Sequence, residues 1–115
     1  MSDQCVFCKI INKEIQSDIR YEDDQVVVIR DINPQTPSHL LILPKVHISG
    51  MDTLTPEQSP IIAHIALVAK KLASQEGLSE SGWRLVVNCG QDAKQTVFHL
   101  HVHILGGRPM TGQLA

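Results

Sequence analysis

Residues 98–105 read FHLHVHIL, so His99, His101 and His103 occupy every second position and aliphatic residues lie between them. Strict alternation predicts a half-buried strand, because successive side chains of a strand point to opposite faces of the sheet. Neighbouring histidines on one face would lie about 7 Å apart, whereas zinc holds each ligand nitrogen about 2 Å away. The spacing therefore favours a groove lined by imidazoles, suited to an extended anionic substrate, over one ion shared by all three. A histidine-rich tract with incidental affinity for metals is the alternative.

The middle histidine of this run is the candidate for chemistry. Imidazole titrates near neutrality and has a nucleophilic nitrogen, so His101 could attack phosphorus directly or pass protons. On either side, His99 and His103 would orient it, donate hydrogen bonds to phosphate oxygens or help a leaving group depart. The polar segment 88–96 comes just before the run. Its amide, hydroxyl and backbone N–H groups could stabilise charge on a phosphoryl oxygen, although a polar hairpin loop has the same composition.

A second set of candidate ligands begins near the N-terminus. Cys5 and Cys8 have the spacing of zinc ligands, but the chain contains no second pair of this kind. Two histidines would have to complete the site, and His47 and His99 are the plausible pair. The alternative interpretation is that both cysteines are small packing residues on a short helix.

Composition restricts the class of protein. The 115 residues predict a single domain over 1–115, and 43% hydrophobic with 19% charged residues is typical of a globular chain. A net charge of −2 and the lack of a Lys/Arg cluster argue against nucleic-acid or membrane-surface partners. A polar N-terminus, no apolar stretch near about 20 residues and an odd number of cysteines predict a cytoplasmic protein with reduced thiols.

The elements that would position these residues can be read from apolar periodicity and turn signals. The spacing of apolar residues predicts a short helix over 6–15, with Asp3 as its N-cap. Two β-rich runs flank Asp23 and Asp24, which suit a hairpin turn. The predicted strands are 19–22, 25–30, 39–43, 83–88 and the histidine run.

One long helix is predicted over 56–75. Thr55 and Gln58 suit a capping box, Pro56 suits the first helical position, and Gly77 suits the C-terminal cap. The apolar arc of this helix is wider than a one-sided helix needs, which indicates either a dimer interface or deep burial in its own domain. A helix between hairpin-type strands favours an α+β domain with an antiparallel sheet.

The histidine run also matches a known pattern. Residues 99–105 fit His-φ-His-φ-His-φ-φ, with φ apolar, and the chain resembles the histidine triad (HIT) family, in particular its Hint branch of nucleotide-binding proteins. The resemblance covers nearly the whole chain. Beyond the triad it rests on residues 7–11, 22–24, 31–35, 37–39, 44–48 and 105–108.

The resemblance implies a HIT-type α+β fold of five antiparallel strands, one short helix and one long helix. It further implies a homodimer in which residues 56–75 and 83–88 pair across the two-fold axis, so that the sheet extends through both subunits. The implied activity is the hydrolysis of purine nucleoside phosphoramidates to AMP or GMP and an amine, through a covalent nucleotidyl-histidine intermediate. A dinucleoside polyphosphate hydrolase and a nucleotide- or partner-binding module with incidental turnover are the alternatives.

The resemblance also implies roles for individual residues. His101 would be the nucleophile, His103 and His99 would assist around the phosphate, and His39 would line or buttress the site. Further residues would contact the nucleotide: Asp31 the ribose hydroxyls, Phe7, Ile10, Ile29 and Ile32 the base, and Asn88, Gln95 and Thr96 the phosphate and leaving group.

Two departures from the family pattern matter. Residues 110–115 contain no aromatic side chain of the kind that shapes leaving-group preference in related members. The cysteine pair is absent from many relatives, and where it is present it implies a zinc ion held by Cys5, Cys8, His47 and His99. Such a metal would be structural, and the chemistry would require no cofactor.

Overall fold

In the computed structural model, which describes residues 4–113, the chain forms one antiparallel sheet with a helix on each face. The predicted α+β class and the five-stranded sheet with one short and one long helix are confirmed. The strands follow the spatial order β1-β2-β3-β5-β4. The elements are α1 Val6–Ile11, β1 Ile19–Glu22, β2 Val26–Arg30, β3 Ser38–Pro44, a 3-10 turn Met51–Thr53, α2 Pro60–Gln75, β4 Trp83–Val86 and β5 Val102–Gly106.

The central strands β2 and β3 are buried on both faces, which explains why they read as continuous apolar runs. One face packs against α2, and this core includes Leu100, Val102 and Ile104. The opposite face packs against α1 through Phe7 and Ile10. The alternation predicted for the histidine run therefore holds for its aliphatic half.

The short helix α1 ends earlier than predicted, at Ile11 instead of residue 15. Lys13 adopts a positive φ of 65°, and the Glu14 N–H donates to the Lys9 carbonyl, so the backbone turns away from the helical path. Cys5 is the N-cap, and its Sγ accepts a hydrogen bond from the Cys8 N–H. The predicted cap, Asp3, lies outside the described residues.

The long helix α2 begins at Pro60, four residues later than predicted. Thr55 and Gln58 do exchange the two hydrogen bonds of a capping box, but they close a turn that precedes the helix. The C-terminal prediction is confirmed, because Gly77 has a φ of 75° and Leu78 N–H donates to the Ala73 carbonyl.

Two strands are shorter than predicted at the ends near the candidate site. β4 ends at Val86 instead of residue 88, and β5 begins only at Val102. His99 and His101 therefore lie in the segment that leads into β5, where the Leu100 N–H donates to the Ile48 carbonyl instead of to a ladder partner. No helix in the described part of the chain is both long enough and apolar enough to span a bilayer.

Candidate active site

The segment before β5 holds His101 in one orientation. Its ring is 8% exposed and its Nδ1 lies 2.8 Å from the carbonyl oxygen of His99. A carbonyl only accepts, so Nδ1 carries the proton and Nε2 keeps its lone pair. The edge of the Phe7 ring packs on the imidazole at a centroid distance of 5.0 Å. The backbone thus presents a nucleophilic nitrogen, the point that the sequence left open.

A chain of hydrogen bonds determines the protonation of the third histidine. The Gln35 N–H donates to His39 Nδ1 at 3.0 Å, so the proton of a neutral His39 is on Nε2. That Nε2 lies 2.9 Å from His103 Nδ1 and donates to it. His103 therefore carries its own proton on Nε2, which makes it a hydrogen-bond donor beside His101. The two rings lie 5.2 Å apart between centroids.

A cavity of about 430 Å³ opens in front of these two imidazoles. His101 and His103 line it together with Asp31, whose Oδ1 accepts from the Asn33 N–H at 2.8 Å. The remaining walls are mostly apolar. Of the predicted nucleotide contacts, the cavity brings together Phe7, Ile10, Ile29, Asp31, Ile32, Thr96, His101 and His103.

The two cysteines and two other histidines form a separate, compact cluster. His99 Nδ1 lies 3.4 Å from Cys5 Sγ and 3.6 Å from Cys8 Sγ. His47 Nδ1 lies 3.2 Å from Cys8 Sγ and 3.1 Å from His99 Nδ1. A tetrahedral zinc with ligands about 2.0–2.3 Å away separates them by about 3.3–3.8 Å. The cluster therefore has dimensions close to those of a zinc site.

The protonation of His99 fits the same conclusion. Its Nε2 lies 2.8 Å from the Pro44 carbonyl oxygen and donates to it, which leaves Nδ1 as an acceptor directed at the cluster. Burial lowers the pKa of His99 to about 4, so this nitrogen keeps its lone pair at neutral pH. Burial raises the pKa of the Cys8 thiol to about 11, and a bound cation is what would convert it to a thiolate.

The comparisons with known proteins agree with this geometry. The sequence profile of a family described as scavenger mRNA decapping enzyme C-term binding matches residues 4–113. The solved structure of a HIT family hydrolase from Clostridium thermocellum superimposes with a TM-score of 0.97 at 46% identity, with 100% of both chains covered. The chain belongs to the histidine triad family.

Two curated relatives extend the comparison. A purine nucleoside phosphoramidase of Escherichia coli K12 is 44% identical over 115 residues, which is 100% of this chain and 97% of that protein. A 14 kDa zinc-binding protein of Zea mays is 49% identical over 107 residues, 91% of this chain and 83% of that protein. The histidine triad similarity thus extends over the whole described chain.

The triad is divided between two sites. His101 and His103 line the cavity, whereas His99 is fully buried and its Nδ1 belongs to the cysteine cluster. Its backbone carbonyl nevertheless holds the proton of His101. His99 therefore contacts His101 through its main chain and the cluster through its side chain.

A second grouping of candidate ligands, Asp31, His39 and His103, is a hydrogen-bond relay instead of a metal site. A metal-bound imidazole normally donates its other N–H to an acceptor. At His39 the direction is reversed. The Gln35 N–H donates to Nδ1, so a proton stays on the Nε2 that would bind the ion. Asp31 Oδ2, 3.4 Å from this Nε2, adds a negative charge beside it.

Two predicted phosphate contacts lie outside the cavity lining. Gln95 is buried, and its amide accepts from the Gly90 N–H and donates to the carbonyls of Ser49 and Val97. Asn88 is half-buried in the segment after β4 and does not line the cavity either. Ile32 does line it, but it is 96% exposed and therefore lies at its mouth.

Several residues of the site were not predicted from the sequence. Leu41 and Val97 line the cavity, and so do Gln16 and Ser17 from the segment before β1. The Gln35 N–H and the Pro44 carbonyl determine tautomers through backbone atoms, which no side-chain pattern reveals. Only the pairing of β2 with β3 would have indicated Leu41, because it places Leu41 opposite Ile29.

The hydrogen-bonded pair of His39 and His103 predicts a pH dependence of stability. Burial, and after it the neighbouring His101 and His39, lower the pKa of His103 to about 4, with Asp31 opposing the shift. The unfolded chain, with a histidine pKa near 6.5, then binds more protons than the folded chain between pH 6.5 and 4. The free energy of unfolding should therefore fall on acidification through this window, by about 1.4 kcal/mol per pH unit for this one group.

Denaturant titrations at several pH values would test this. In His103→Asn, the slope of the free energy of unfolding against pH between pH 6.5 and 4 should decrease by the contribution of one proton. In His64→Gln, on the outer flank of α2, more of that slope should remain. An unchanged slope in His103→Asn would contradict the assignment.

Proposed function

We propose that this protein is a hydrolase that cleaves purine nucleoside 5'-phosphoramidates to a nucleoside monophosphate and an amine, with His101 as the nucleophile. The observation that carries the proposal is the pair of tautomers at the cavity wall: an unprotonated Nε2 on His101 beside a protonated Nε2 on His103. A nucleophile and a donor for phosphoryl oxygen are thereby adjacent. The names of the E. coli relative and the C. thermocellum structure support the hydrolase class and the P–N bond as target.

In the first step, the lone pair of His101 Nε2 would attack phosphorus while the P–N bond breaks. The amine departs with the electrons of that bond and takes up a proton. The new imidazolium is stabilised by the His99 carbonyl, which accepts its Nδ1–H. The Nε2–H of His103 would donate to a non-bridging oxygen as charge develops there.

In the second step, water would attack the same phosphorus. The bond between phosphorus and His101 Nε2 breaks, its electrons return to the imidazole, and the proton released by water balances the one taken by the amine. The products are a nucleoside monophosphate and the free enzyme. Burial lowers the pKa of both His39 and His103, which keeps the relay neutral in both steps near pH 7.

The nucleotide would cross the cavity with its phosphate at the triad. Asp31 and Thr96 both line this cavity. Asp31 would accept from the ribose hydroxyls, and Thr96 would contact the phosphate and the leaving group. The base would pack among Phe7, Ile10, Ile29 and Ile32. We propose that Gln95 acts by holding the loop 88–97, since its amide joins three backbone groups of this region. Direct contact of Asn88 with the phosphate stays a prediction.

We further propose a structural zinc ion held by Cys5, Cys8, His47 and His99. The distances within the cluster, the His99 tautomer and the name of the Zea mays relative support it. Bound there, the ion would hold α1 against the segment before β5, and the chemistry at His101 would not involve it.

A homodimer through α2 and β4 is also proposed. β4 is an edge strand with Leu85 41% exposed, and Leu67 of α2 is 67% exposed. Pairing of these surfaces would bury apolar area and extend the sheet. A cytoplasmic location stays a prediction.

Comparing two substrates tests the proposed function. The purified protein should hydrolyse an adenosine 5'-phosphoramidate with a kcat/KM at least about 100-fold above that for a diadenosine polyphosphate. The cavity would hold one nucleotide, and an amine is a smaller leaving group than a second nucleotide. Preferential turnover of the dinucleotide would instead favour the polyphosphate hydrolase. Tight binding of AMP without turnover of either would favour a binding module.

A further inference from the structure

Polar side chains from three parts of the chain line the nucleotide cavity. His101, His103 and Thr96 come from β5 and the segment before it, Arg30 and Asp31 lie at the end of β2, and Gln16 and Ser17 lie in the segment before β1. Gln16 is exposed, and within residues 4–113 its amide makes no hydrogen bond to another residue. An amide that lines the cavity and has no partner within the described residues is available to a ligand.

One row of paired residues across the sheet gives the distance from His103 to the β1 side of the cavity. His103 pairs with Leu41, Leu41 with Ile29, and Ile29 with Ile19. Neighbouring strands lie about 4.8 Å apart, so three spacings place Ile19 about 14 Å from His103. Gln16 comes three residues before Ile19. Gln16 therefore lines the cavity from the side of the edge strand β1, whereas His103 lies on β5.

A nucleotide that crosses this cavity has its parts in a defined order. With phosphorus beside His101 and the ribose at Asp31, its base would lie against the apolar lining that Leu41, Ile29, Phe7 and Ile10 form together. Apolar side chains contact the faces of the base and discriminate little between purines. The polar edge of the base points beyond Ile29, toward Gln16.

We propose that Gln16 reads this edge and selects adenine over guanine, an inference that rests on the proposed nucleotide function. The glutamine amide presents one acceptor and one donor side by side. The 6-amino group of adenine is flanked by an acceptor nitrogen on each side, so a bidentate pair forms whichever edge is presented. Of the two edges beside its 6-position, guanine offers such a pair only through O6 and N1–H, because O6 and N7 are both acceptors.

Binding of AMP and GMP by isothermal titration calorimetry tests the inference in the full chain. The unmodified protein should bind AMP more tightly, and Gln16→Ala should weaken AMP binding by about tenfold and GMP binding by less than about threefold. Gln75→Ala, which removes an exposed glutamine from the end of α2, is the matched control and should leave both affinities unchanged. Because Gln16 is exposed, the melting temperature of Gln16→Ala should equal that of the unmodified protein.

The outcomes separate the two proposals. Equal losses for AMP and GMP in Gln16→Ala, or no loss for either, would overturn the role of Gln16 and leave the proposed function standing. Failure of the unmodified protein to bind either nucleotide would overturn the proposed function itself, and the inference with it.

Discussion

Replacing His101 with alanine should lower the turnover of an adenosine phosphoramidate by at least about 10⁴-fold while AMP still binds. The variant removes the only triad nitrogen that lines the cavity with a free lone pair, because His103 Nε2 is protonated through the relay from Gln35 and His39. Apolar walls and Asp31 remain, so the dissociation constant of AMP should change by less than about tenfold. Steady-state kinetics and calorimetry on the same preparation would measure both.

A second histidine variant controls for this experiment. His64 lies on the outer flank of α2 and pairs with Asp23, at 2.7 Å between Nε2 and Oδ2, away from the cavity. His64→Ala should retain turnover. Mass spectrometry after rapid acid-free quenching should find nucleotidyl-protein in the unmodified chain and none in His101→Ala. Full turnover in His101→Ala would contradict covalent catalysis at this residue.

Removing the proposed zinc ion should destabilise the protein by several kcal/mol. A ligand that binds only the folded chain stabilises it by about 4 kcal/mol when its free concentration is 1,000 times its dissociation constant. For a domain of this size the loss corresponds to a fall of at least about 10 °C in melting temperature. The protein purified without added zinc should contain one zinc ion per chain by elemental analysis, and a strong chelator should produce the fall.

The Cys5→Ser variant distinguishes the effect of losing the metal ligand from the effect of losing the helix cap. Cys5 Sγ also accepts the Cys8 N–H at the start of α1, and a serine hydroxyl preserves that acceptor while it removes a thiolate ligand. The variant should melt like the chelated protein, and a chelator should not lower its melting temperature further. Cys89→Ser, at a half-buried position outside the cluster, should behave like the unmodified protein. Absence of zinc together with an unchanged melting curve after chelation would refute the site.

Metal removal should also weaken AMP binding, because α1 serves both sites. Cys8 faces the cluster, while Phe7 and Ile10 of the same helix line the cavity. The helix has six residues, too few to hold its own conformation without tertiary contacts.

Local signals predicted most of the fold. The hairpin at Asp23 and Asp24, the end of α2 at Gly77 and the inward direction of Leu100, Val102 and Ile104 follow from turn chemistry and periodicity. Several boundaries of helices and strands were wrong. The capping box of Thr55 and Gln58 formed, for example, but it closed a turn before the helix.

The sequence by itself determined which residues are the candidates for chemistry: the triad motif and the cysteine pair were sufficient to predict phosphoryl transfer and a zinc site. Only the tertiary structure decided which nitrogen of each histidine is free. The deciding partners are backbone groups, the Pro44 carbonyl for His99, the His99 carbonyl for His101 and the Gln35 N–H for His39. Every residue has such groups, so their identity depends on the path of the chain in space and leaves no pattern in the order of side chains.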